Sequence, residues 1–371
     1  MLLFYILIPI FIIYSLLLVY YWRSWRSIPV FIPYKEQSTT TISLIIPARN
    51  EEDNIGALLK ALQEQSYPKE LLEIIVVNDH STDGTVTIVQ QFPVVKLLHV
   101  KEDNINSYKK KAIETGIAAA SGEWILTTDA DCLPGPNWLH TIAAFKEETQ
   151  AVFITAPVVI DCNRSLVQSF QAMDFMVLQG ITGAAVAKKK MFMCNGANLG
   201  YTRQSFYDAD GFAGIDELAS GDDMLLMYKI GRQNEGGLHY LKSKEAIVAT
   251  QPMKTWKDFF NQRIRWASKA KKYDDKRILP VLLLVYLFNL SFAVLLVAGC
   301  WHPSYWLFLI GLWVGKTIVE FPLFISVSNF FNKRWAIPLF FFFQPMHILY
   351  TIISGFFGQW GKYEWKGRKV R

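Results

Sequence analysis

Residues Met1 to Tyr21 carry no charged side chain and are dominated by Leu, Ile, Phe and Tyr, enough to cross a hydrocarbon core that needs about 20 such residues. The run has no basic leader and no small-residue cleavage site after it, so it is expected to be an anchor and not a removed signal. Arg23, Arg26 and Lys35 follow it, and the positive-inside rule then puts Met1 outside and the next domain in the cytosol. Three more apolar runs, Ile278 to Cys300, Tyr305 to Val327 and Trp335 to Phe357, are each long enough to cross. Four crossings would leave the tail outside, although it holds Lys362, Lys366, Arg368, Lys369 and Arg371, against the same rule. One of the three is therefore expected to re-enter or lie in the interface, and the last, interrupted by Pro338 and Pro345, is singled out. Lys316 and Glu320, spaced i and i+4 in the middle run, are expected to pair, because a lone charge at depth is costly.

Between these ends the chain is of another kind. With 51% hydrophobic and 19% charged residues overall, it is too apolar for one soluble domain and too charged to lie in a membrane throughout. The organisation expected is an anchor over 1–27, a cytosolic α/β domain over 28–275, and a membrane region with a basic tail over 276–371. From Thr41 to about Asp131, short β-type runs alternate with amphipathic stretches, the pattern of a parallel sheet covered by helices. Strands are expected at Ser43–Pro47, Glu73–Asn78, Val94–His99 and Glu123–Asp129. Helices are expected at Asn54–Gln65, Thr85–Gln91 and Ser107–Ala120, with Asp83 and Ser107 as caps.

The net charge of +6 gathers in Lys109–Lys111, Lys188–Lys190, the stretch Lys254 to Arg277 and the tail. Abutting a hydrophobic run, the third cluster favours anionic headgroups or phosphates over nucleic acid. Cys132, Cys162, Cys194 and Cys300 stand far apart with no C-x-x-C pair, so they read as reduced thiols and not as a disulfide frame or zinc site.

Polar residues close the first, second and fourth strands, where open parallel sheets place their ligand crevice. The first ends in Pro47-Ala48-Arg49-Asn50-Glu51-Glu52 and the second in Asn78-Asp79-His80-Ser81-Thr82-Asp83-Gly84-Thr85. That puts Asp79 and either Glu51 or Glu52 on one edge, where carboxylates can accept hydrogen bonds from a nucleobase and ribose. The fourth ends in Asp129-Ala130-Asp131, oxygen ligands that suit Mg²⁺ or Mn²⁺ and can bridge the ion to a diphosphate. Asp222-Asp223 open an apolar helical run and can be read as a capping pair or as catalytic acids. Gln262-Arg263-Ile264-Arg265-Trp266 combines guanidinium forks suited to phosphate with an indole face suited to sugar; a basic, aromatic interfacial helix has the same composition.

In order along the chain, Ile45-Ile46-Pro47-Ala48-Arg49-Asn50-Glu51, Val77-Asn78-Asp79, Lys109-Lys110-Lys111-Ala112, Asp129-Ala130-Asp131, Gly221-Asp222-Asp223 and Gln262 to Trp266 resemble a membrane-bound family 2 glycosyltransferase. Lipid glycosyltransferases and cellulose- or hyaluronan-synthase-like enzymes are the members it is similar to. The resemblance implies a GT-A nucleotide-diphospho-sugar transferase domain, a mixed and mostly parallel sheet, between N-terminal and C-terminal transmembrane helices. It implies a donor side at Pro47, Ala48, Arg49, Glu51, Asp79, Lys109, Asp129, Ala130 and Asp131, with Asp79 on the base, Asp129 at the ribose and diphosphate, and Asp131 with Asp129 holding Mg²⁺ or Mn²⁺. Asp223 is implied as general base beside Asp222; Glu-Asp is commoner in the family than Asp222-Asp223. Gln262, Arg263, Arg265 and Trp266 are implied on the acceptor and diphosphate side. The glycine-rich Cys194 to Tyr201 resembles an acceptor-side segment, and Trp365-Lys366-Gly367-Arg368 a cytosolic tail signature of membrane glycosyltransferases.

The activity expected is inverting, metal-dependent transfer from a nucleotide-diphospho-sugar, by default a UDP-sugar, to a lipid or membrane-associated glycan acceptor. Its setting is a bilayer of the bacterial inner or plasma-membrane type. A processive polysaccharide synthase is the second expectation; it is disfavoured because at most four spans enclose little. A non-catalytic membrane scaffold is the third, opposed by the retained acids.

Overall fold

The structure is a computed structural model and describes residues 2–34, 38–103, 105–162, 165–189, 193–216, 218, 221–234, 236–268, 276–359, 363–365 and 368–370. Expectations about Lys35, Lys190, residues 269–275, Lys362, Lys366, Gly367 and Arg371 lie outside these residues. In chain order, α1 (Leu2–Ser27) precedes β1 (Ile42–Ala48), α2 (Ile55–Gln63), β2 (Leu72–Asn78), α3 (Thr85–Val89), β3 (Val95–His99), α4 (Tyr108–Ala118) and β4 (Trp124–Thr127). Then come β5 (Cys132–Pro134), α5 (Trp138–Thr149), β6 (Phe153–Thr155), β7 (Val158–Ile160), α6 (Leu166–Ala187), β8 (Leu199–Thr202), α7 (Arg203–Asp208), α8 (Met224–Gln233), β9 (Leu238–Tyr240) and β10 (Val248–Thr250). The last helices are α9 (Trp256–Ala267), α10 (Ile278–Ala298), α11 (Ser304–Phe330) and α12 (Phe340–Phe357).

Two compact units emerge. One comprises Pro29–Asp161, Phe192–Gln251 and Glu364–Arg371; the other comprises Met1–Ile28, Cys162–Met191 and Pro252–Tyr363. Of the expected run 28–275, the described residues 165–189 and 252–268 group with the apolar helices. The 22-residue helix α6, most of whose residues are buried, explains the first excursion.

The first unit is built on a seven-stranded sheet of order β3-β2-β1-β4-β8-β6-β9. β2, β1 and β4 run parallel, with Ile42 opposite both Leu72 and Trp124. β8 is antiparallel to β4 and to β6, so the sheet is the mixed, mostly parallel one expected. β1 is buried almost throughout, as a strand covered on both faces must be. The register brings the carboxyl ends of β1, β2 and β4 to one edge. At the seam of β4 and β8, a Cβ on Gly200 would lie 2.4 Å from the indole nitrogen of the fully buried Trp124. Gly200→Ala is therefore expected to overpack the sheet, at a cost of about 1–3 kcal/mol, read as a lowered unfolding temperature; an unchanged midpoint would show that Trp124 can move aside.

In the second unit α1 packs on α11, α6 and α10, and α9 packs on α12. Four helical segments, Leu3–Ser27, Ile278–Ala298, Ser304–Phe330 and Arg334–Phe357, are long and apolar enough to cross a membrane. The last is broken: Arg334–Leu339, with Pro338, forms a 3₁₀ turn before α12 begins. Proline locks φ and lacks the N–H that a continuous helix would use, so α12 proper has 18 residues, near the lower limit for a span. Lys316 and Glu320 pair at 2.7 Å. Gln344 extends the pair, accepting from Lys316 at 2.6 Å and donating to Glu320 at 2.7 Å, and the Tyr14 hydroxyl also donates to Glu320. This satisfies charges that would otherwise be expensive among apolar helices.

Candidate active site

The loops after β1 and β2 are latched together before any ligand is considered. Asn50 accepts from the Thr82 amide at 2.8 Å and Glu52 from the Gly84 amide at 2.7 Å. The Glu51 carboxylate accepts from the Asn54 side chain, and its amide donates to the Thr85 hydroxyl, each at 2.8 Å. Glu52 thereby ties the two loops together, and Glu51 is engaged within its own loop. The N-cap of α3 is Gly84 and not the expected Asp83; Asp83, one residue earlier, accepts from the Thr85 amide at 3.0 Å and the Glu52 amide at 3.1 Å. Burial alone would raise its carboxyl, but these bonds and the Thr85 hydroxyl hold it below the usual carboxylate range. Ser107 stands at the N-cap of α4 without a side-chain capping bond, so that expectation is half met.

Pro47 and Ala48 end β1 inside the sheet. Arg49 follows and donates to the carbonyls of Asp79 and His80 at 2.9 and 3.2 Å. Asp79 is 3% exposed. Its amide bonds to Ala48 O at 2.8 Å and its carboxylate faces His80 Nδ1 at 3.1 Å. His80 in turn reaches Asp103 at 3.1 Å and meets Tyr108 edge to face. His80 and Tyr108 were not singled out from sequence; His80, which follows Asp79 and has φ of +52°, carried the only signal, a bulky residue at a turn.

β4 stops at Thr127, short of the expected Asp129, because the Cys132 amide turns back to Asp129 O at 3.1 Å. Ala130 is buried within that turn, and Asp129 and Asp131 are left partly accessible on either side of it. Lys109, near the start of α4, lies 2.7 Å from Asp129 and 3.2 Å from Asp222. Burial opposes the charge of Lys109, but Asp129, Asp222 and Asp223 hold the ammonium well above its ordinary range, so it stays cationic at neutral pH. Asp223 caps α8, accepting from Met224 N at 2.7 Å, and its other oxygen accepts from Gly196 N at 3.1 Å. A Cβ on Gly196 would sit 3.2 Å from both Asp222 Oδ2 and Lys109 Nζ. The glycine of Cys194–Tyr201 therefore lets backbone approach the acids. Asp223 thus both caps α8 and joins the cluster around Lys109.

Asp129 and Asp131 offer the hard carboxylate oxygens that Mg²⁺ or Mn²⁺ takes. Among the described residues no group of three His, Cys, Asp or Glu side chains is placed to hold a metal by itself. Two carboxylates completed by diphosphate oxygens and water is the arrangement such ions accept, so the residues fit.

In the helical unit, α9 presents Gln262 and Trp266 half-buried. The Gln262 Oε1 is buried with no hydrogen-bond donor among the described residues. Arg265 is half-buried, whereas Arg263 is buried and pairs with Asp174 at 2.8 Å. The two guanidinium groups that looked equivalent in sequence thus differ: Arg263 is turned into the helices.

Residues 43–209 match the family model for Glycosyl transferase family 2. The chain is 27% identical over 322 residues to a probable glycosyltransferase, YdaM, of Bacillus subtilis, covering 84% of this chain and 74% of that one. It is 26% identical over 152 residues to the poly-beta-1,6-N-acetyl-D-glucosamine synthase of Staphylococcus epidermidis, covering 41% of this chain and 36% of that protein. The mannosyltransferase PcManGT of Pyrobaculum calidifontis, solved with GDP-Man and Mn²⁺, shares the fold with a TM-score of 0.63 at 20% identity, over 96% of this chain and 99% of that one. The sheet order and that likeness together define a GT-A-type fold. Over 43–209 the chain thus carries a domain of the Glycosyl transferase family 2 type, and the relatives it resembles include glycosyltransferases.

Proposed function

We propose that this glycosyltransferase moves one or a few sugars, with inversion, from a nucleotide-diphospho-sugar to a lipid or membrane-associated acceptor. The observation that carries the reading is the cluster in which Lys109 bridges Asp129 and Asp222 while Asp223 shares the Gly196 amide. A diphosphate end and an acid end are joined in one place. Asp79 and Arg49 would frame the nucleoside, and Asp129 and Asp131 would hold Mg²⁺ or Mn²⁺, which when bound neutralises the diphosphate as it leaves. Asp223 takes the proton of the acceptor hydroxyl. That oxygen forms the new bond to the anomeric carbon from the face opposite the breaking bond, and the nucleoside diphosphate departs with its electron pair, beside the Lys109 ammonium. The mannosyltransferase of like fold holds GDP-Man and Mn²⁺; only fold is shared at that identity, so UDP and GDP donors are both arms of the test.

The test incubates the protein in nanodiscs with UDP- and GDP-sugars and with diacylglycerol or a polyprenyl phosphate, with Mn²⁺, Mg²⁺ or EDTA. Labelled lipid from one donor is expected. A polymer would establish the synthase reading, and no turnover or nucleotide binding with any donor would return the scaffold.

For the acceptor, α9 is the proposed helix, supported by the unmatched Gln262 oxygen, which a sugar or lipid hydroxyl would satisfy, and by Trp266. Trp266→Ala is expected to raise the acceptor KM about tenfold, the worth of a lost stacking contact, and to leave nucleotide affinity within twofold. An unchanged acceptor KM would return the residue to membrane anchoring. The catalytic unit is proposed to face the cytosol, where nucleotide sugars are made, and the basic tail with it. A protease-accessible tag after Arg371 should be cleaved only from the cytosolic side; cleavage from the other side would reject the re-entrant fourth segment.

A further inference from the structure

Arg263 is buried among the helices. The residue is 4% exposed. Its guanidinium carbon lies 4.3 Å from the ring centre of Trp266, 4.9 Å from Phe259 and 5.9 Å from Tyr350. None of its side-chain nitrogens makes a hydrogen bond to a described residue. What holds it is charge: Asp174 of α6 stands 2.8 Å from Nη2.

Asp174 is itself fixed. The Tyr350 hydroxyl of α12 donates to its Oδ1 at 2.6 Å, and His347 Nε2 stands 4.0 Å away. The next residue, Phe175, has its ring 6.1 Å from that of Trp266. A line of contacts therefore runs from α12 through Asp174 to Arg263 and onto the indole. Cation–ring attraction weakens when the cation moves, so the place of the Arg263 charge sets the place of the Trp266 ring.

We propose that Asp174 is a positioning residue for acceptor use: acting through Arg263, it holds the Trp266 ring at the surface of α9 in the orientation the acceptor meets. This rests on the reading of α9 as the acceptor helix. It separates the two arginines, leaving Arg265 for the acceptor and Arg263 as the post on which the indole is hung.

The test compares Asp174→Asn, Arg263→Met, the double variant Asp174→Asn/Arg263→Met and Arg263→Lys in nanodiscs. Each is read by unfolding temperature, by nucleotide affinity, by the acceptor KM for whichever of diacylglycerol and polyprenyl phosphate the wild type glycosylates, and by the 5-fluorotryptophan ¹⁹F resonance of Trp266. That resonance is assigned by its loss in Trp266→Phe. Each single neutralisation leaves one buried charge unpaired and should lower the unfolding temperature, whereas the double variant removes both charges and should recover it.

The acceptor KM separates the roles. It should stay raised at least tenfold in the double variant, with a shifted or broadened ¹⁹F signal and nucleotide affinity within twofold of wild type. Arg263→Lys, which keeps charge and ring contact, should recover most of the KM. A double variant that regains acceptor KM and the wild-type ¹⁹F signal along with its unfolding temperature would overturn the proposal, leaving the pair a packing device. The parent reading fails separately: an unchanged acceptor KM in Trp266→Ala removes α9 from acceptor use and this proposal with it, whereas a raised KM there beside a normal double variant removes this proposal alone.

Discussion

Asp223→Asn is expected to reduce sugar transfer about 10²–10⁴-fold, the range for loss of a general base, while nucleotide diphosphate affinity stays within about twofold. The substitution is informative because of how the carboxylate is held. One oxygen accepts from Met224 N and the other from Gly196 N. Asparagine is as good an N-cap as aspartate, and its carbonyl oxygen can still cap α8, so the helix start should persist. What it lacks is a basic oxygen for the acceptor proton and the second acceptor that now meets Gly196 N, a loss the unfolding temperature would report. Single-turnover rates with the donor at saturation, set beside the unfolding temperature, separate loss of the base from loss of the fold. Near-normal turnover would remove Asp223 from the role and point to Asp222, whose carboxylate Lys109 approaches at 3.2 Å.

The parts of this site that could be read from the chain are those fixed by local chemistry. β1 and β2 lie within about a residue of their expected bounds because a buried parallel strand is an apolar, β-branched-rich run closed by polar residues, a pattern with few alternatives; β3, only partly buried, is placed as closely by the turn residues around it. The latch residues Asn50, Glu52 and Asp83 sit in the motifs, but that Glu52 meets the Gly84 amide depends on how another loop comes to it. β4 is shorter than expected because the backbone turns after Thr127, where the Cys132 amide bonds to Asp129 O, a contact that composition does not report. Least legible were pairings across long sequence separation. Lys109 meeting Asp222, and Arg263 meeting Asp174, depend on how helices and loops fold back, and nothing in Gln262 to Trp266 distinguishes one arginine from the other. Helix α6 was hidden for a similar reason: its burial among other helices leaves no polar face to mark its period.

The second large effect concerns the diphosphate end. Asp131→Ala is expected to lower kcat/KM about 10²-fold or more, since charge neutralisation by a bound ion is worth several kcal/mol and each 1.36 kcal/mol is tenfold. The sharper reading is the metal response. Wild-type affinity for the nucleoside diphosphate should rise on adding Mn²⁺ to an EDTA-treated sample, whereas Asp131→Ala should bind almost equally with and without it. Lys109→Met provides the contrast. Its ammonium lies 2.7 Å from Asp129 and is held cationic by the surrounding acids, so its loss should weaken nucleotide binding by a similar factor in Mn²⁺ and in EDTA, leaving the metal response in place. If both variants kept the full response to Mn²⁺, the ion would be held elsewhere or not required. If Lys109→Met abolished the response as Asp131→Ala does, the lysine and the metal would be acting as one unit, with the ammonium keeping Asp129 oriented for the ion instead of meeting the diphosphate itself.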